Sequence, residues 1–148
     1  MEQHEAYMAQ ALALAEEAMA EGEVAVGCVI VRDRQVVGRG RNRRERDKTA
    51  LGHAEIEAIA AACATLGGWR LTGTALYVTL EPCPMCAGAI INARIPAIYY
   101  GAKDDKAGCC GSVLNLFEER FNHHPRIYGG ILGEACSRQL QQFFEGLR

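Results

Sequence analysis

Two short runs concentrate the reactive side chains of this sequence: His53-Ala54-Glu55 and Pro82-Cys83-Pro84-Met85-Cys86. Cys83 and Cys86 are three residues apart, so on a helix they share one face of a single turn. With His53 they supply two sulfurs and one nitrogen. That is a common zinc ligand set, and three protein ligands leave the fourth tetrahedral position to water. Glu55 stands two residues after His53, about 200° around a helix axis. It is placed to reach a metal-bound water from the side rather than to ligate, which suits a general acid/base. Zn2+ with two thiolates and a neutral imidazole is formally neutral, and thiolates make bound water harder to ionise. Two helix N-termini aimed at the metal counter that. The outcome is a held hydroxide with a protonated Glu55 beside it.

Other cysteines compete for the metal. Cys109 and Cys110 offer a closed four-cysteine site with Cys83 and Cys86, but adjacent cysteines splay apart in extended chain and make a poor pair of ligands. Cys28, Cys63 and Cys136 fall on apolar faces and read as core. His123 and His124, before Pro125, read as surface loop residues.

The elements that must position these groups follow from periodicity. An amphipathic helix is expected over 5–21, with Met8, Leu12, Ala15 and Met19 facing inward. VAVGCVIV at 24–31 reads as a strand buried on both faces. A polar turn leads to a second strand at 35–40, making a hairpin, and 41–52 is a polar loop. A helix over 53–65 is expected to bury Ile56, Ile59, Ala60 and Cys63. A strand at 75–80 precedes a helix at 84–93, where Pro84 suits the first turn. Further strands are expected at 97–101 and 126–132, a short helix at 113–119, and a last helix at 134–147 with Cys136, Leu140, Phe143, Phe144 and Leu147 as its apolar side. Ile90 and Ile91, with Ala87 and Ala93, are expected to leave apolar surface. Alternating strands and helices predict an α/β fold, a three-layer α-β-α sandwich on a central five-stranded mixed sheet.

With 148 residues, 49% apolar and 23% charged, the composition is that of one globular domain over 1–148. A domain of this size buries about two-thirds of its unfolded surface and needs no disulfides. Seven cysteines, an odd number, fit a reducing cytoplasm better than a disulfide scaffold. No apolar run reaches the roughly 18 residues of a membrane helix, and the acidic N-terminus lacks the basic region of a secretory signal. The net charge of -2 points to no polyanion, but its distribution is uneven. Residues 1–31 hold six acids and no Lys or Arg, while 32–48 hold eight of the sixteen basic residues against three acids. Such a basic segment can follow a phosphate backbone; a hairpin with scattered solvated charges has the same composition.

The two runs resemble the H-x-E…P-C-x-x-C signature of the zinc-dependent cytidine/adenosine deaminase superfamily. Within it, YVTLEPCPMCAGAI at 77–90 is similar to the second zinc segment of the bacterial tRNA-specific adenosine deaminases. EVAVGCVIV at 23–31, Arg41-Asn42-Arg43, Gly101-Ala102-Lys103-Asp104 and FEERFNHHP at 117–125 also resemble that family. The resemblance implies a cytidine-deaminase-like fold and a homodimer. It implies hydrolytic deamination of adenosine to inosine at wobble position 34 of a tRNA, chiefly an arginine tRNA with anticodon ACG. His53, Cys83 and Cys86 would hold one Zn2+ per chain and Glu55 would shuttle protons. Asn42 would hydrogen-bond the flipped base, Asp104 would lie beside the substrate nucleotides, and Ala54 would join them in the substrate site. Arg43 and Arg44, directly after Asn42, are expected to hold neighbouring phosphates of the anticodon stem-loop. No membrane and no other protein partner is implied. The sequence departs from the family where Ala25 replaces a proline of the pocket segment, where Leu51-Gly52 precedes the histidine, and where it ends at Arg148 without a basic tail.

Two other functions use the same features. One is deamination of a free base or nucleoside such as guanine or cytidine. The other is a zinc-stabilised RNA-binding module without catalysis, which has no use for Glu55.

Overall fold

A computed structural model describes residues 2–147. The elements run α1 (Glu2–Ala20), β1 (Gly27–Arg32), β2 (Gln35–Arg41), α2 (Arg44–Asp47), α3 (Ala54–Leu66), β3 (Ala75–Leu80), α4 (Pro84–Ala93), β4 (Ala97–Ala102), a 3-10 turn (Leu116–Glu118), β5 (Arg126–Tyr128) and α5 (Gly133–Glu145). The sheet order is β2-β1-β3-β4-β5. β1 is antiparallel to β2 and β3, whereas β3, β4 and β5 are parallel. The sheet is therefore mixed and five-stranded, as expected.

Period-2 alternation splits the strands between two cores. Cys28 and Ile30 of β1, Leu76 and Val78 of β3, and Ile98 and Tyr100 of β4 pack against α3 and α4. Val29, Val31 and Tyr77 point the other way, into a layer with Met8, Ala11 and Cys136 from α1 and α5. Residues i and i+2 of a strand share a face, so the pleat alone produces the three layers.

The helices do not bury the faces that the largest apolar residues suggest. In α1 the buried residues are Met8, Ala11, Ala15 and Ala18, while Leu12 and Met19 are half-buried. In α3 they are Ala54, Glu55, Ala58 and Ala62; Ile56, Ile59 and Cys63 are half-buried and Ala60 is exposed. Close approach decides this. A Cβ on Gly38 would lie 2.3 Å from the Ala58 carbonyl oxygen, and one on Gly40 2.0 Å from that of Ala54. Glycines on the strand and alanines on the helix let α3 lie nearly on the backbone of β2, with no room for isoleucine.

Other boundaries also shift. The first strand starts at Gly27 rather than residue 24. β5 stops at Tyr128, before Gly129-Gly130, and the 113–119 helix contracts to the 3-10 turn. The polar loop at 41–52 contains α2. In α5, Cys136 and Phe143 are buried, but Phe144, and Leu147 past the helix end, are 52% and 67% exposed. Ala87, Ile90, Ile91 and Ala93 are buried within the chain itself, so the apolar surface expected on α4 is not there. Both parallel core strands, β3 and β4, end on the side where α3 and α4 begin.

Candidate active site

His53 is the residue just before α3, and Cys83 the residue just before α4; both have extended backbone and neither side chain caps its helix. Pro84 opens α4 at a position where a missing N–H costs nothing. Both side chains are thereby left free at helix N-termini, whose unpaired N–H groups carry partial positive charge. Cys86 lies within the first turn of α4 and returns to the same side as Cys83.

The three donor atoms converge. His53 Nδ1 lies 3.5 Å from Cys83 Sγ and 3.5 Å from Cys86 Sγ, and all three atoms lie within 4.8 Å of one another. Tetrahedral zinc with bonds of about 2.0–2.1 Å to nitrogen and 2.3 Å to sulfur separates N and S by about 3.5 Å. The donor set therefore fits a zinc ion without rearrangement. Among the described residues this is the one group of three or more His, Cys, Asp or Glu side chains with that convergence. Cys109 is buried with its thiol directed at the Ala107 carbonyl and Cys110 is half-buried; neither joins the group. The four-cysteine alternative is thus set aside.

Electrostatics at the cluster follow from contact. Hydrogen bonding from the Cys86 thiol, then from His53, outweighs burial and lowers the Cys83 pKa to about 4. Cys86 is pushed upward, first by its contact with Cys83 and then by burial. The hydrogen bond with Cys83 raises His53. Glu55, the second residue of α3, is 4% exposed. Burial raises its pKa to about 7, against the pull of its own backbone N–H.

These groups open into a cleft of about 580 Å3 that also takes in Asn42, Arg44, Glu81, Lys103, Asp104 and Phe144. A larger, shallower groove of about 1020 Å3 runs along the start of α5, away from the His53–Cys83–Cys86 cluster. Asn42 is 5% exposed; its backbone N–H donates to the Val26 carbonyl. Among the described residues, its side-chain amide has no partner. Asp104 Oδ1 accepts the backbone N–H groups of Lys106 and Ala107.

Two expected substrate contacts stand elsewhere, and so does Ala25, the residue in place of the family's proline. Ala54 is fully buried in the core between α3 and the sheet and does not line the cleft. Arg43 is turned to Glu57, with Nε 2.8 Å from Oε2. Ala25 packs with Ala15 and Phe143, and its neighbours Val24 and Val26 line the cleft in its place. The basic segment as a whole is partly neutralised by the fold. Glu21 takes Arg41 and Arg46, and Glu23 accepts the backbone N–H groups of Glu45 and Arg46 at the start of α2. Arg44 alone of the expected pair reaches the cleft. Glu81, Lys103, Lys106 and Phe144 were not expected in the cleft; the first adjoins Pro82-Cys83, and the two lysines flank Asp104-Asp105.

The family model of the cytidine and deoxycytidylate deaminase zinc-binding region matches residues 1–102. The tRNA-specific adenosine deaminase of Bacillus subtilis (strain 168) is 46% identical over 149 aligned positions, covering 100% of this chain and 92% of its own. The chain belongs to the tRNA-specific adenosine deaminase family. The family member from Haemophilus influenzae is 42% identical, covering 97% of this chain and 84% of its own. A solved structure from work on A-to-I editing by tRNA:A34 deaminases is 42% identical, with a TM-score of 0.86 over 90% of this chain and 97% of that one. The guanine deaminase from Nitrosomonas europaea, 21% identical with a TM-score of 0.76, shares the fold. As a member of this zinc-binding deaminase family, the chain takes one Zn2+, and the His53–Cys83–Cys86 group is consistent with that ion.

Proposed function

We propose that this chain deaminates adenosine to inosine at wobble position 34 of tRNA, chiefly an arginine tRNA with anticodon ACG. The observation that carries the reading is Glu55, a buried carboxylate beside the His53–Cys83–Cys86 donors and open to the cleft. A purely structural zinc site has no use for such a group. Family membership supplies the substrate class.

His53, Cys83 and Cys86 would hold the zinc, which when bound supplies Lewis-acid activation of the attacking water. The chain's own groups do the rest. Glu55 takes the proton of the water as its oxygen adds to C6, and passes a proton to ring N1. It then takes the second proton from the hydroxyl now on C6 and delivers it to the amine; the C6–N bond breaks as C6=O forms, and ammonia leaves. Asn42 offers a donor and an acceptor to the base edge. Asp104 forms part of the cleft wall. Arg44, Lys103 and Lys106 place positive charge at the rim for phosphates, and the exposed ring of Phe144 offers a stacking face.

An adenine inside a helical stack cannot present C6 to this cleft, so the base must be unpaired and turned outward; an anticodon loop base already is. Such a substrate places the enzyme in the cytoplasm, and no helix of the described residues is long and apolar enough to cross a membrane. The working form in this reading is a homodimer. Its contact is not made by Ile90 and Ile91, which the chain buries itself. Sedimentation at micromolar concentration should report a dimer, and a fully active monomer would refute that part. Incubating the zinc-loaded protein with an ACG hairpin and sequencing the product tests the reaction.

A further inference from the structure

We propose that Glu81 is a positioning residue for the deamination: its buried carboxylate clamps the 104–112 loop, and with it one wall of the cleft, to the Pro82-Cys83 turn. The inference rests on the proposed tRNA reaction for its substrate.

Glu81 follows the last residue of β3 and is 2% exposed. No Lys or Arg side chain pairs with it among the described residues. The loop after β4 wraps it instead. Asp104 N–H donates to Oε1 (3.0 Å), while the N–H groups of Cys110 (2.8 Å) and Ser112 (3.1 Å) donate to Oε2. The Ser112 hydroxyl donates to Oε1. Backbone bonds close the same unit: Cys109 N–H reaches the Pro82 carbonyl at 2.9 Å, and Glu81 N–H the Ala102 carbonyl at 2.9 Å. A Cβ on Gly108 would lie 2.3 Å from the Glu81 carboxyl carbon, so the loop closes over the carboxylate only with glycine there.

This arrangement joins two parts of the site that the chain order separates. On one side of Glu81 are Pro82 and Cys83, where α4 and the metal donors begin. On the other are Lys103 through Ala107, which line the cleft opposite. The Glu81 carboxylate, with the two backbone bonds beside it, sets the distance between the metal donors and the substrate wall. Charge is required as well as shape. Four donors converge on two oxygens, and a carboxylate accepts all of them, whereas an amide turns its NH2 toward two of the donors.

The test uses the zinc-loaded protein and an ACG hairpin. Glu81→Gln should keep one zinc per chain. It should lower kcat/KM by roughly 10²-fold, the scale of a misplaced substrate wall, with a raised KM and faster hydrogen exchange at Cys110 and Ser112. Met8→Ala, chosen for a comparable loss of Tm in the opposite layer, should leave KM unchanged. Ser112→Ala, which removes one donor and leaves Glu81 in place, should shift KM in the same direction by less, and serves if Glu81→Gln fails to fold. A KM within about twofold of wild type in the folded variant, or loss of zinc from it, overturns the proposal. Failure of the wild-type protein to convert the hairpin would overturn the proposed function instead.

Discussion

Arg43 Nε sits 2.8 Å from Glu57 Oε2, so one of the two arginines that follow Asn42 is directed along α3 rather than into the cleft. Its neighbour Arg44 is exposed and lines the cleft. The two should behave differently toward RNA. Replacing Arg44 by Ala should weaken hairpin binding and reduce the salt slope by about 0.7, the value for one phosphate contact on a single strand. Replacing Arg43 by Ala should leave that slope nearly unchanged. Affinity titrations at several salt concentrations separate the cases, and equal slope changes would show that Arg43 leaves Glu57 to hold a phosphate.

Glu55 is expected to matter for turnover and little for binding. Glu55→Ala should retain zinc and hairpin affinity while losing at least the roughly 10²–10⁴-fold that general acid/base help supplies. Single-turnover conversion with metal content measured on the same sample checks this. Activity within about threefold of wild type would remove Glu55 from the chemistry.

The metal donors should be separable from the other cysteines. Cys86→Ala should lose zinc and, because metal-binding energy is also folding energy, much of its Tm. Cys109→Ala should keep the metal. Zinc affinity should fall as pH falls, because both thiols and His53 bind metal only when deprotonated. The hydrogen bond that raises His53 in the metal-free chain strengthens that proton competition. Metal analysis and thermal melts across pH read each effect. Full zinc occupancy in Cys86→Ala would show that the ion is held elsewhere.

The contact between β2 and α3 should be intolerant of bulk. Gly40→Ala places a Cβ 2.0 Å from the Ala54 carbonyl oxygen, which is backbone and has no rotamer to yield. Overpacking of this kind typically costs about 1–3 kcal/mol. Since Ala54 opens α3 between His53 and Glu55, zinc affinity should fall along with stability. Chemical denaturation and zinc titration of the variant give both numbers. An unchanged midpoint would mean that α3 can lift from β2 freely.

Much of this was readable from particular residues, and the exceptions have physical reasons. The strand at 75–80 and the helix at 84–93 match the structure end to end, because an apolar β-rich run and a Pro84 start are local signals. His53, Cys83 and Cys86 are legible for the same reason: ligand type and helix-start position are both written in short segments. The buried faces of α1 and α3 were not legible. Apolar periodicity favours Leu12, Ile56 and Ile59, while the contact is decided by glycines on strands distant in sequence. The pairing of Arg43 with Glu57 and of Arg41 with Glu21 depends on which segments fold together, so charge counting over 32–48 overstated the free positive charge. Glu81 gave no signal beyond adjacency to Pro82-Cys83, since its partners lie 23–31 residues away.

The most direct test of the central claim compares the zinc-loaded protein on an ACG-anticodon hairpin and on free adenosine, reading inosine by sequencing and by chromatography. The account predicts conversion of the adenosine that opens the ACG triplet, with free adenosine nearly inert. Equal efficiency on free adenosine, or conversion of free cytidine or guanine in place of the hairpin, would contradict it and make this a small-molecule deaminase on the same zinc site.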